Sequence, residues 1–109
     1  HMKMGEVAYF LKLLAGPEAR EANGKTILEN SLFTISTESG DGRHNDSKRE
    51  LSGVFHAITS AAGRFKTGRI LDLKAEAIDV YNTMLTSIGA KRRLGDAKRK
   101  TNPVNQIRA

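Results

Sequence analysis

Apolar positions recur in helical rhythm over two parts of this chain and lose that rhythm between them. Near the start, Val7, Phe10, Leu11 and Leu14 fall at i, i+3, i+4 and i+7, which lines one face and predicts a short N-terminal helix. It should stop around Ala15 to Gly16, because Pro17 disfavours helical geometry at the residue before it and has no N–H to donate. Pro17 also suits the first position of a second short helix over Glu18–Ala22, which Asn23-Gly24 would end.

Between Lys25 and Thr37 the signals mix. Thr26–Glu29 and Leu32–Thr37 suit the two strands of a small β-hairpin about Asn30-Ser31 (residues 26–37), and Ile27, Leu28, Ser31, Leu32 and Ile35 also fit one helical face. A two-stranded ribbon is marginal alone and has to pack on helices. From Glu38 to Asp46 no hydrophobic residue occurs, which predicts an exposed loop.

The periodicity then returns. Ser47 and Glu50 have capping-box spacing, and Leu51, Val54, Phe55, Ile58, Ala61 and Ala62 follow at helical intervals, predicting a helix over about 46–62. Gly63 and Gly68 bracket a short basic loop, and a second arm over about 69–88 carries Ile70, Leu73, Ala77, Val80, Tyr81, Met84 and Ile88 on one stripe. A competing alternation, Leu71, Leu73, Ala75, Ala77, is short and would turn Ile70, Ile78 and Val80 the wrong way. Gly89 is placed to end the arm. The expected fold is mainly α: an antiparallel helical hairpin with a short N-terminal helix, the 26–37 ribbon, and a flexible basic arm. Residues 1–88 would form one small helical domain and 89–109 the arm. The stripe on the last helix is wider than one partner helix needs, so a homodimer joined through Val80 and Met84 is expected over a monomeric three-helix body.

Composition supports one modest core. Leu, Ile, Val and Phe fill 25 of 109 positions, just above the ~20% below which disorder becomes the default. His1-Met2 before a second Met reads as a cloning remnant. The absence of cysteine removes disulfides and thiolate metal sites. No apolar run matches a membrane span or a secretory signal, so the expectation is a soluble, cytoplasmic protein without membrane attachment.

Charge changes the picture most. The net charge is +6. Residues 1–88 carry eleven Lys and Arg against eleven Asp and Glu. The whole excess falls in residues 89–109, where Lys91, Arg92, Arg93, Lys98, Arg99, Lys100 and Arg108 face Asp96 alone. Such an arm suits phosphate binding, although Lys91, Arg92 and Arg93 also complement the C-terminal end of a helix. The segment lacks an apolar face to insert into a membrane, since Leu94 is the only large apolar residue among its basic ones.

Gly63 to Gly68 has the glycine spacing of a phosphate-binding P-loop, but the chain continues with Arg69 and Ile70 rather than Lys and Ser or Thr, which argues against nucleotide hydrolysis. The loop instead gathers Arg64, Lys66 and Arg69 around Phe65. The cations suit phosphates, while Phe65 either stacks on a base or folds back into the core. His44 lies beside Asp41 and Asp46, but Arg43 breaks the spacing of a calcium loop, and His56 rims an apolar stripe. No metal, cofactor or catalytic residue is expected, and no nucleophile motif is present. The expected function is a small nucleic-acid-binding protein of regulatory, packaging or accessory type that contacts DNA or RNA through the 63–69 loop and the basic arm. The rival is a protein-binding inhibitor or adaptor that presents an apolar helix face or the cationic arm to an acidic partner.

Overall fold

The computed structural model describes residues 2–36 and 55–109. Helix α1 spans Met2–Leu14 and turns Val7, Leu11 and Leu14 partly inward, with Phe10 meeting Phe33 edge to face at 5.8 Å. It stops where Pro17 requires. Pro17 opens a 3₁₀ turn, Pro17–Ala19, in place of the short helix expected over 18–22. A tight turn follows at Asn23-Gly24, with Gly24 at φ +80 and Glu21 N–H on the Lys25 carbonyl at 2.8 Å.

The first strand expected at Thr26–Glu29 is a helical turn, α2, Ile27–Asn30. Thr26 Oγ1 accepts from the Glu29 N–H at 3.2 Å, and the Glu29 carboxylate accepts from the Thr26 N–H at 2.7 Å. Two backbone donors that a helix start leaves open are thereby satisfied, and the reciprocal cap outweighs the β preference of Thr26 and Ile27. These bonds to Thr26 also hold the Glu29 carboxyl below its ordinary pKa.

Strand β1, Thr34–Ser36, lies within the second expected strand, but its partner is far off in sequence. It pairs antiparallel with β2, His56–Ile58, in the register Thr34 to Ile58, Ile35 to Ala57 and Ser36 to His56. Thr59 extends the ladder: its hydroxyl accepts from Phe33 N–H at 2.8 Å and donates to the Ser31 carbonyl at 2.6 Å. Of the helix expected over 46–62, residues 46–54 and the capping pair Ser47 and Glu50 lie outside the described residues. The remainder is not helical. His56 and Ile58 face inward while Phe55 and Ala57 stay exposed, a period of two that a β1 partner selects over the period of 3.6. The chain then reverses through Ala61, Ala62 and Gly63 at φ +48, +57 and +85.

The arm expected over 69–88 contracts to α3, Ala77–Ser87. Residues 70–75 run without regular structure, with Leu73 and Ala75 turned to the core and Ile70 fully exposed. Locally, the short alternation prevails over the longer helical period. Gly89, at φ +94, ends α3 as expected, with Ala90 N–H on the Leu85 carbonyl at 2.9 Å.

The core consists of Ala61, Phe65, Val80, Met84, Val104 and Ile107. Three segments meet there: the turn after β2, one face of α3, and the end of the chain. Val80 and Met84 are only 3% exposed, and Val104 and Ile107 of the same chain cover the surplus stripe that suggested a second copy. Among the described residues the architecture is three helices with a small two-stranded antiparallel sheet, a small mixed fold that is not clearly the expected helical hairpin.

Candidate nucleic-acid interface

The 63–69 loop and the end of the basic segment, far apart in sequence, are brought together. Phe65 forms an antiparallel bridge with Arg108, in which Lys66 N–H donates to the Ile107 carbonyl at 3.1 Å and Ala109 N–H to the Arg64 carbonyl at 2.9 Å. Side chains alternate along such a bridge. Phe65 therefore points into the core at 2% exposure, while Arg64 and Lys66 point to solvent. This decides the Phe65 alternative: its ring closes the core and is not a stacking platform. Arg64 caps the Ala61 carbonyl at 3.2 Å, and Arg69 donates to the Gln106 carbonyl.

The segment after Gly89 is not a free arm, because α3 carries a polar face that reads its backbone. Asn82 binds Leu94 twice, donating to its carbonyl at 3.1 Å and accepting from its N–H at 2.7 Å. Gly95, at φ +91, lies so close to α3 that an added Cβ would sit 2.6 Å from Ile78 Cδ1. Farther on, Val104 N–H donates to Thr83 Oγ1 at 2.9 Å, and Arg108 Nε donates to Ser87 Oγ at 3.1 Å.

Arg99 has a structural assignment. Its guanidinium reaches Asp79 at 2.8 Å and Glu76 at 2.6 Å, beside the start of α3. Asp79 is 5% exposed, and the hydrogen bonds from Arg99, with one from Asn102 N–H, hold its carboxyl below the ordinary value. The same bonds push the Arg99 pKa up. A carboxylate this buried needs such a partner, so Arg99 is withdrawn from the set expected to touch phosphate. The two basic triplets, residues 91–93 and 98–100, lie toward opposite ends of α3, a helix about 16 Å long at 1.5 Å per residue. Lys91, Arg92 and Arg93 follow its C-terminus, and Arg93 folds back onto the Asp96 and Ala97 carbonyls. Lys98, Arg99 and Lys100 adjoin its first turn.

What remains is a set of unengaged cations on a tethered backbone. Lys66, Lys91, Arg92, Lys98 and Lys100 are exposed and make no side-chain hydrogen bond or ion pair among the described residues. Residues 61–109 hold eleven Lys and Arg against four Asp and Glu, a net of +7, leaving −1 for residues 1–60. Asp79, Asn82 and Thr83, which position this surface, are functional residues that sequence reasoning missed. Their signal is the i, i+3, i+4 spacing of polar side chains within an otherwise apolar helix.

Beside Lys66 and Arg69 lies a groove of about 510 Å³. Its apolar lining includes Ile58, Leu73, Val80 and Ile107, with Ile70 fully exposed and Leu71 39% exposed at its edge. His56 also lines it, with its ring edge-on to Tyr81 at 5.3 Å and both nitrogens buried without a hydrogen-bond partner. Burial pushes the His56 pKa down, which keeps the ring neutral at pH 7. A neutral imidazole offers one donor and one acceptor. Among the described residues no three His, Asp or Glu gather as metal ligands, and no helix is long and apolar enough to cross a membrane. No family model, curated protein or solved structure matches this chain.

Proposed function

We propose that the chain is a small nucleic-acid-binding protein of regulatory, packaging or accessory type, and not an enzyme. The observation that carries this reading is the set of five exposed cations, Lys66, Lys91, Arg92, Lys98 and Lys100, which make no side-chain hydrogen bond or ion pair among the described residues. Residues 1–60 carry a net charge of −1, whereas residues 61–109 hold nearly three positive charges for each negative one. A polyanion neutralised by such a surface releases its counterions, and that release drives association. The tail's backbone is held on α3 by Asn82 and Thr83, and its Arg108 side chain by Ser87, so part of the ordering cost of a free arm is met on folding. Self-association through α3 forms no part of this reading, because Val80 and Met84 lie inside the monomer.

The test is a fluorescence-anisotropy titration of labelled DNA and RNA at about 50 mM salt. Replacing Lys91, Arg92, Lys98 and Lys100 together by Ala should weaken binding to all sequences alike, since phosphate contacts position a protein without reading bases. Unchanged affinity in that variant would overturn the reading. A second reading, as a protein-binding adaptor, is favoured by one observation: α1 leaves Met4, Tyr9 and Leu13 more than half exposed.

A further inference from the structure

Beyond phosphate attraction, we propose that the groove beside Lys66 and Arg69 takes an unpaired base, making single-stranded nucleic acid the preferred partner. The inference rests on the phosphate-binding reading and adds what the strand inserts. Three observations point the same way. First, the groove has an aliphatic lining, with Ile58, Val80 and Ile107 belonging to or packed against the core, and its volume of about 510 Å³ lies within the roughly 300–1,000 Å³ of small-molecule pockets. A duplex keeps its base faces stacked inside. A single strand can place one against such a lining.

Second, His56 lines the same groove with both ring nitrogens buried and without a partner among the described residues, and a turn of the ring is what would present them to a base. Buried polar atoms in native proteins nearly always have partners. A base edge carries adjacent donors and acceptors, which suits a neutral ring holding one of each. Third, the cations stand where flanking phosphates would run. Lys66 is uncommitted, and Arg69 uses one nitrogen on the Gln106 carbonyl and keeps the rest of its five N–H donors. Among the described residues Asp72 is the one acidic side chain on the lining, against Lys66 and Arg69.

The test compares two labelled strands of equal charge, an oligothymidylate of about 15 nucleotides and a strand of the same length with every base removed. At about 50 mM salt the thymidylate should bind at least ~10-fold tighter, the range expected for one engaged base. Ile70→Ser should bring the thymidylate down to the abasic level and leave the abasic affinity unchanged; its side chain is fully exposed, so the fold does not depend on it. Lys66→Ala should weaken both strands together. Equal affinity for the two strands, or tighter binding to a duplex of that length, would overturn base insertion and leave phosphate binding standing. If neither strand nor duplex binds while circular dichroism shows folded protein, the phosphate reading itself fails.

Discussion

Removing residues 89–109 tests how far the basic segment belongs to the fold. A neutral body carrying a flexible arm would survive the deletion with its stability intact. In the structure the deletion strips Val104 and Ile107 from the core, at 5% and 6% exposure, and burial of such side chains stabilises by about 1.5–3 kcal/mol each. The loss from those two alone is about 3–6 kcal/mol, against a total of about 5–15 kcal/mol for a domain of this kind. Asp79, Asn82 and Thr83 also lose partners at Arg99, Leu94 and Val104, which adds to the loss. The truncated chain should therefore show a shallow urea transition and bind a hydrophobic dye, where the full chain unfolds cooperatively. A milder version is Ile107→Ala, which should cost about 2–5 kcal/mol and lower Tm by about 4–8 °C for each kcal/mol. Lys98→Ala, on the same segment but exposed, should change stability by less than about 0.5 kcal/mol. A truncated protein that unfolds at the full-length midpoint with undiminished cooperativity would refute the packing described here.

Three further outcomes follow from local geometry. Thr26→Ala removes the Oγ1 half of the α2 cap, leaving the Thr26 N–H bond to the Glu29 carboxylate, and should cost about 1 kcal/mol by urea denaturation. Gly95→Ala meets a positive φ and the Ile78 side chain, and should cost about 1–2 kcal/mol by the same measurement. His56 has a pKa lowered in the fold by burial, so the unfolded chain binds its proton more readily. Its contribution to stability is whole above the unfolded value of about 6.5 and lost as pH falls toward the folded value. Urea midpoints of the wild type should decline below about pH 6.5 more steeply than those of His56→Gln, and parallel profiles would contradict the assignment.

The elements legible in the sequence are those whose causes are local. Pro17 ends α1 and starts a helical turn, Gly89 ends α3, and each works through its own backbone conformation. The Thr26 to Glu29 cap was equally local but was masked by the β-branched pair Thr26 and Ile27. What local reasoning could not reach is pairing at a distance. His56–Ile58 fits two periods, and β1, some twenty residues earlier, selects the strand. Val104 and Ile107 stand three apart in a polar segment, a small signal beside its seven cations, yet they close the core over α3. The candidate site divided the same way. Lys66, Lys91, Arg92, Lys98 and Lys100 are exposed as their type predicts, whereas Arg99 is taken by two carboxylates and Phe65 by the core, which only the folded chain brings to them.

The central claim, that a fixed cationic surface binds nucleic acid through phosphates, is tested most directly by the salt dependence of affinity for single-stranded and duplex DNA. With five unengaged cations each neutralising one phosphate, log affinity against log salt should have a slope of about −3.5 for a single strand and about −4.5 for a duplex. Each Lys→Ala change among Lys66, Lys91, Lys98 and Lys100 should make the slope shallower by about 0.7–0.9. A slope near zero, or no binding to either form at about 50 mM salt, would contradict the claim.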